Sequence, residues 1–235
     1  GDTMPILELA KKKKISISRV EEYYNALRTN IQLSGENIRV IAVSSTFPGE
    51  GKTTTSTNLA LTFAKAGHKT LLVDADIRNS KMLGGVFKSD GKVTGLTEYL
   101  SGTTDLSQGL CETDEPNLFV VSSGQISPNP TALLQSDRFA TMMNVLRRHY
   151  DYIIVDTPPI GMVVDATLIS RVCDASLLVV APKEVKRKMV QRSKMQLEQS
   201  STPFLGVVLN KYNVQADTYG FYGSYGHYGD NLSKE

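Results

Sequence analysis

The sequence predicts an α/β fold with a doubly wound, mainly parallel sheet, and three observations lead to this prediction. Short runs of β-branched and apolar residues alternate with segments whose apolar residues recur at helical spacing. A glycine-rich loop separates the first run from the helix after it, and two further runs close on aspartate. Because strand and helix alternate, successive strands are expected to lie parallel, with the loop and the aspartates at one edge of the sheet.

The glycine-rich loop occupies residues 45–54 and follows a strand predicted at 38–44. Strand, loop and helix in this order are the context of a P-loop, in which glycine lets backbone N–H groups turn toward phosphate. Lys52 is expected to reach the β- and γ-phosphates, and the Thr53 hydroxyl to hold Mg²⁺. Thr46 stands where the full consensus has its first glycine, so the match is partial. The predicted nucleotide-binding residues are Pro48, Gly49, Glu50, Gly51, Lys52, Thr53 and Thr54.

Two further strands deliver carboxylates to the same edge. The strand at 70–73 is followed by Asp74 and Asp76, and the strand at 152–156 ends in Asp156, the arrangement of a Walker B motif. One carboxylate of the first pair can hold Mg²⁺ while the other accepts a proton from an attacking hydroxyl. We favour Asp74 as the base, with Thr53, Asp76 and Asp156 on Mg²⁺. An ordinary surface turn is the alternative interpretation of the pair.

The remaining elements complete the predicted order. Helices are predicted at 20–33, 53–65 and 132–150, and strands at 117–121, 175–181 and 204–209, which gives five or six strands. Residues 79–116 form an unassigned insertion or lid-like region with one short helix at 96–100. A basic helix precedes the last strand, and its charge is interpreted as a solvated helix face; its basic residues are Lys186, Arg187, Lys188, Arg192 and Lys194.

Composition excludes several classes of protein. A formal net charge of +2 does not suit a dominant nucleic-acid surface. Cys111 and Cys173 lack the spacing of a disulfide framework or a zinc site and are predicted to be buried thiols. No apolar run has the length of a membrane span, so any membrane association requires another anchor. The lysine run at 11–14 is either solvated or touches anionic lipid or an acidic partner.

The C-terminal segment, residues 212–235, carries five of the ten tyrosines. Four of them recur at every third position without an apolar pattern, which predicts a disordered tail. A sticky aromatic tail is one interpretation, and a phosphoacceptor segment is the other. The five tyrosines are Tyr212, Tyr219, Tyr222, Tyr225 and Tyr228. Asn210, before the tail, is a candidate for contacting the nucleotide base.

Together, the three motifs resemble those of the bacterial tyrosine kinases, in particular the autokinases of capsular polysaccharide synthesis. The matching segments, at 48–53, 71–78 and 153–159, resemble Walker A, Walker A′ and Walker B. The resemblance implies an ATP- and Mg²⁺-dependent protein-tyrosine kinase that autophosphorylates its tail and regulates capsular or extracellular polysaccharide synthesis and export. It implies a P-loop NTPase fold like that of the partition ATPases. The implied catalytic residues are Lys52, Asp74, Asp76, Arg78 and Asp156.

The resemblance also implies partners and a place in the cell. A transmembrane adaptor activates such kinases through its cytoplasmic tail, so the protein is expected in the bacterial cytoplasm with indirect membrane contact and no nucleic acid. A homo-oligomer, in the family a ring, and a cognate tyrosine phosphatase are further implied partners. The family's assembly helix carries Glu-x-x-Arg-x-x-Arg; here Glu22 and Arg28 match and Asn25 replaces the middle arginine, so the ring is implied less firmly.

The sequence divides into four predicted segments. Residues 1–3 are interpreted as an expression remnant, 4–37 as a basic segment with the assembly helix, 38–211 as the kinase domain and 212–235 as the tail. A partition or septum-positioning ATPase, with water as nucleophile, shares the fold but carries a second lysine where this chain has Phe47. A scaffold that binds nucleotide without catalysis is opposed by three acidic positions around one phosphate site.

Overall fold

A nine-stranded sheet runs through the computed structural model, which describes residues 4–10 and 20–210. In chain order the strands are β1 Ile6–Leu9, β2 Val40–Ser45, β3 Thr70–Asp74, β4 Phe87–Lys88, β5 Leu110–Thr113, β6 Leu118–Val121, β7 Tyr152–Asp156, β8 Ala175–Val180 and β9 Phe204–Leu209. Their order across the sheet is β4-β1-β5-β6-β3-β7-β2-β8-β9.

The sheet divides into a parallel block and an extension. The block is β6-β3-β7-β2-β8-β9, in which every neighbouring pair is parallel. Its six strands are the six that the sequence predicts, so the predicted doubly wound, mainly parallel sheet is confirmed. The extension adds β5 antiparallel to β6, then β1 and β4. None of these three strands was predicted.

Helices cover both faces of the sheet. Their bounds are α1 Glu21–Leu33, α2 Lys52–Lys65, α3 Met82–Gly85, α4 Leu96–Leu100, α5 Leu106–Gly109, α6 Pro130–Leu134, α7 Asp137–Arg147, α8 Asp165–Ser170 and α9 Arg187–Glu198. The single helix predicted at 132–150 is wrong, because Ser136 takes an extended conformation and starts a new helix. Its Oγ accepts a hydrogen bond from Phe139 N at 3.3 Å, which caps α7. The region 79–116 is also more regular than expected, since it holds β4, β5 and three short helical segments.

The core lies on both sides of the parallel block because successive strand residues face opposite ways. On β2, Ile41 packs on the face covered by α1 and α2, whereas Val40 packs on the face covered by α4 and α7. Phe63 of α2 stacks on Tyr152 of β7 with ring centroids 4.0 Å apart. This packing fixes the direction in which α2 leaves the P-loop.

The N-terminal segment is part of this packing. Leu7 of β1 is fully buried, and Tyr24 and Ile31 of α1 are buried against the rest of the domain. The predicted division at residue 38 therefore cuts through one continuous sheet and core. The face of α1 away from the core, which includes Glu22, remains exposed.

We expect Leu7→Ala to lower the free energy of unfolding by about 2–5 kcal/mol, because the substitution opens a cavity in the core. Ile6→Ala is the control, since Ile6 is 59% exposed on the opposite face of the same strand; it should cost less than about 0.5 kcal/mol. Urea unfolding of the full chain measures both. Equal losses for the two variants would show that β1 does not pack as described.

Candidate active site

The P-loop joins β2 to α2 at the carboxyl edge of the parallel block. Gly49 and Gly51 have φ of 82° and 86°, in the left-handed region that favours glycine. The second glycine immediately precedes Lys52, the first residue of α2, and no side chain caps this helix. The N-terminus of α2 therefore offers backbone N–H groups and the positive end of its dipole to an anion.

Glu50 and Asn210 hold the loop in place. The buried Glu50 carboxylate accepts hydrogen bonds from Phe47 N at 2.8 Å and Ala181 N at 3.1 Å, which ties the loop to the end of β8. Asn210 Nδ2 donates to the Glu50 carbonyl oxygen at 2.9 Å. A Cβ on Gly51 would lie 1.7 Å from that nitrogen, and φ is 86°, so another residue would displace the Asn210 side chain and strain the backbone. Both groups were predicted to contact nucleotide, and the structure shows them bonded to protein backbone.

Lys52 forms a buried ion pair with Asp156 at the end of β7. Its Nζ lies 2.8 Å from Asp156 Oδ1 and 3.9 Å from Asp76 Oδ2. Two hydroxyls also donate to Asp156, Thr53 Oγ1 at 2.8 Å and Ser56 Oγ at 3.1 Å. The sequence reasoning missed Ser56, whose signal is its position one helical turn after Lys52.

Asp74 and Asp76 stand beside this pair on the loop after β3. Asp74 is almost completely buried; its carboxylate accepts from Asp76 N at 3.2 Å and is bonded by the hydroxyl of Ser80, a residue that the sequence reasoning missed. Burial, reinforced by the negative charge of Asp156, raises the pKa of Asp74 to about 8. Burial also raises the pKa of Asp76, against the opposing effect of Lys52. Three carboxylates thus share one lysine.

This group of oxygens suits a magnesium ion. Mg²⁺ takes oxygen ligands at about 2.0–2.1 Å in octahedral geometry, so neighbouring ligand oxygens lie about 3 Å apart. Thr53 Oγ1 and Asp156 Oδ2 are 2.8 Å apart, and the excess of negative charge around Lys52 favours a divalent cation. Thr53 and Asp156 would be its protein ligands, with Asp76 close by.

Arg78 turns away from this group. Its Nε donates to Asp165 Oδ2 at 2.7 Å, and its Nη2 donates to Asp165 Oδ1 at 3.3 Å and to Thr131 Oγ1 at 2.8 Å. Asp165 is fully buried at the start of α8, and its hydrogen bond raises the pKa of Arg78, with a smaller effect from Asp76. The predicted catalytic arginine is therefore held by a buried carboxylate that sequence reasoning did not single out.

Comparison with known proteins places this geometry in a family. Residues 38–192 match the family model described as an AAA domain. Over 220 residues the chain is 62% identical to the tyrosine-protein kinase CpsD of Streptococcus pneumoniae, which covers 94% of this chain and 96% of that protein. The chain belongs to the CpsD-type tyrosine-protein kinases.

Solved structures agree with membership of the CpsD-type kinases. The kinase domain of the Escherichia coli tyrosine kinase ETK superposes with a TM-score of 0.76 at 34% identity, covering 80% of this chain and 74% of that one. The chimerical protein CapA2B2 gives a TM-score of 0.76 at 31% identity, with coverage of 89% and 95%. The predicted family and enzyme class are confirmed, and the partition ATPase alternative is not favoured.

The predicted assembly residues lie on α1 of this CpsD-type fold. Glu22 is exposed, whereas Arg28 is half-buried and its Nε finds no hydrogen-bond partner within residues 4–10 and 20–210. The predicted phosphoacceptors Tyr212, Tyr219, Tyr222, Tyr225 and Tyr228 and the lysine run at 11–14 lie outside the described residues. Among the helices that the structure describes, none has the length and apolar character to cross a membrane.

We expect Asp74→Asn to raise the melting temperature of the nucleotide-free protein in EDTA, and to do so more at pH 8 than at pH 5. The folded-state pKa of about 8 lies above the ordinary value of 3.8, so the folded protein keeps a proton that the unfolded chain releases. Wild-type stability therefore falls as the pH rises between these values. Because 1 kcal/mol corresponds to about 2–4 °C at this size, the difference between the two pH values should be about 4 °C or more.

Asp90→Asn is the control for that measurement, because it makes the same substitution at an exposed position. It should shift the melting temperature by less than about 1 °C at either pH. A gain for Asp74→Asn that does not depend on pH would contradict the raised pKa.

Proposed function

We propose that this CpsD-type kinase transfers the γ-phosphoryl group of ATP to tyrosine hydroxyls of its own tail and so regulates capsular polysaccharide synthesis and export. The observation that carries the proposal is the convergence of Lys52, Asp156 and Asp76 at the N-terminus of α2. The acceptors proposed are Tyr219, Tyr222, Tyr225, Tyr228 and, nearer the domain, Tyr212.

The chain's own residues supply most of the chemistry. Backbone N–H groups of the P-loop and α2 bind the phosphates, and the Lys52 ammonium balances the charge that moves with the γ-phosphoryl group. Mg²⁺, held by Thr53, Asp156 and Asp76, would neutralise phosphate charge when bound. Glu50 and Asn210 keep the loop in the conformation that presents its N–H groups.

Asp74 is the proposed base. The tyrosine oxygen forms a bond to the γ-phosphorus as the bond from that phosphorus to the β–γ bridging oxygen breaks, and ADP leaves with the electron pair. The phenolic proton passes to an Asp74 carboxylate oxygen. A base works best when its pKa lies near the working pH, which supports Asp74 rather than Asp156, the partner of Lys52. Arg78 can assist only after its ion pair with Asp165 opens.

The proposed partners follow from the family. A transmembrane adaptor would hold the kinase at the cytoplasmic face of the membrane and activate it through a cytoplasmic tail, and a tyrosine phosphatase would reverse the reaction. A homo-oligomer, in ring form, would use the exposed face of α1 around Glu22 and Arg28.

We expect Lys52→Met to lower the autophosphorylation rate by at least about 10²-fold, because it removes the cation that stabilises the transferring charge. Lys65→Met is the control, since Lys65 lies exposed in the last turn of the same helix. Phosphotyrosine is measured by mass spectrometry, and circular dichroism checks the fold. Near-normal phosphorylation of Lys52→Met would contradict the assignment of the active site.

The regulatory role is tested in cells by measuring capsular polymer in strains that carry the same two variants.

The tail should be phosphorylated in trans. Tyr219 to Tyr228 lie 10 to 19 residues beyond Leu209, a reach of about 35–60 Å, so distance permits transfer within one chain or between two. Neighbours in an oligomer present their tails at high effective concentration without bending them around their own domain. A Lys52→Met chain that keeps its tail is therefore mixed with an active chain lacking residues 212–235. Phosphotyrosine should form on the inactive chain, and its absence would rule out transfer in trans.

The same mixture tests the adaptor. A peptide of the adaptor's cytoplasmic tail should increase the rate of phosphate transfer between the two chains. A rate that does not change across the titration would contradict activation by the adaptor.

A further inference from the structure

A cluster of positive charge lies beside the P-loop and takes no part in the proposed chemistry. We define it as the α9 basic surface, formed by Lys183, Lys186, Arg187, Lys188 and Arg192. All five side chains are exposed, and Glu184 is the one acidic residue in this stretch of sequence. No ion pair joins any of the five to another residue within the described part of the chain. Lys194, by contrast, pairs with Glu198 at 3.8 Å and is not included.

Helix stability does not explain this placement of charge. The first turn of α9 contains Arg187 and Lys188 and no acidic residue. Positive side chains at the N-terminus of a helix oppose the helix dipole. Lys65, Arg148 and Arg171 are exposed at helix C-termini, where the dipole favours them. Arg138, in the first turn of α7, follows the acidic Asp137 and donates to the carbonyl oxygen of Tyr99, whereas the first turn of α9 has no acidic residue. The charge at the start of α9 therefore favours an anionic ligand.

The tail leaves the described structure next to this surface. Asn210 N donates to the carbonyl oxygen of Val180 at 2.8 Å, and the α9 basic surface begins three residues after Val180. Ala181, between them, contacts the P-loop through Glu50 at 3.1 Å. Arg192 follows Val180 in the chain and can lie no more than about 30 Å from it. Tyr219 can lie up to about 30 Å from Asn210, and Tyr228 up to about 60 Å. The tyrosines can therefore reach the surface of their own chain.

We propose that the α9 basic surface binds the phosphotyrosines of the same chain's tail, residues 212–235, after phosphorylation. The proposal rests on the proposed autophosphorylation. Each phosphate adds about −1.5 to −2 charges, so four add about −6 to −8, and arginine and lysine form charge-assisted hydrogen bonds with them. The unmodified segment carries only Asp217, Asp230 and Glu235 against Lys234, so phosphorylation creates the complementary charge. The surface would thus remove product tails from the neighbouring active sites.

An anionic lipid surface is the rival occupant, because it also attracts a basic cluster. The exit of the tail beside Val180 favours the phosphotyrosine segment, which is tethered at high effective concentration whereas lipid is not. Titrations with a phosphopeptide and with lipid vesicles distinguish the two occupants.

The test uses the full chain with Lys52→Met, whose own tail carries no phosphate to compete. A fluorescent peptide of residues 215–231, phosphorylated on its four tyrosines, is titrated and followed by anisotropy. The surface variant is R187Q/K188Q/R192Q. Its matched control, K65Q/R148Q/R171Q, also removes one lysine and two arginine charges from exposed positions, at the ends of three other helices. Thermal melting confirms that both variants fold.

We expect the surface variant to bind the phosphopeptide about tenfold more weakly and the control variant less than about twofold more weakly. The unphosphorylated peptide should bind at least about tenfold more weakly than the phosphopeptide to the unaltered surface. Equal losses in the two variants, no loss in either, or equal binding of the two peptides would overturn the proposal.

Two further arms separate the alternatives. Vesicles of phosphatidylcholine with about one third phosphatidylserine are tested with the same variants. Loss of vesicle binding together with unchanged phosphopeptide binding would assign the surface to lipid and overturn the proposal. Autophosphorylation of the wild-type chain is scored separately by mass spectrometry, so a failure of the proposed kinase activity is seen independently of peptide binding.

Discussion

The buried ion pair between Lys52 and Asp156 is the interaction on which the site depends. The two residues are 7% and 1% exposed, and each charge would be costly at this depth without the other. The pair joins the first residue of α2 to the last residue of β7, so it fixes the P-loop against the middle of the parallel block. Stacking of Phe63 on Tyr152 joins the same two elements at their other ends, and this packing keeps the pair aligned.

The pair does not balance the charge around it. Asp76 brings a second carboxylate to one lysine. Asp74 brings a further carboxyl group, whose pKa of about 8 keeps it largely protonated at neutral pH and which is bonded by the hydroxyl of Ser80 and the amide of Asp76. A site with excess buried carboxylate is poorly adapted to bind phosphate alone, because like charges repel. It is well adapted to bind phosphate together with a divalent cation, and this pairing is how a P-loop enzyme can hold both a polyanion and its own acidic residues.

The sequence predicted the parallel block and its loops because buried parallel strands are continuous apolar runs. It did not predict β1, β4 and β5, since strands of two to four residues in an extension carry too few positions for a pattern. The residues of the site also fall into those that a local pattern predicts and those that it does not. Lys52, Thr53 and Asp156 were predicted from spacing and do meet in space. Ser56, Ser80 and Asp165 were missed because their roles come from contacts between elements that no local pattern records.

Glu50 and Asn210 show the limit of motif reasoning most clearly. Both stand at positions that suggest nucleotide contact, yet their side chains bond to backbone groups of the loop and of β8. A phosphate-binding loop needs its N–H groups free, so other groups have to hold the loop from outside. Motif positions therefore include residues that support the loop as well as residues that touch the ligand.

The packing of α1 connects the predicted assembly helix to this loop. Tyr24 of α1 is buried, and burial raises its pKa. Asn25, which replaces the family's middle arginine, faces Thr62 of α2 across 3.5 Å rather than solvent. A partner that bound the exposed face of α1 around Glu22 would thus press on the helix whose first residue is Lys52. Because protein interiors are close-packed, a shift of α1 along α2 would have to be accommodated by α2, the helix that begins at Lys52.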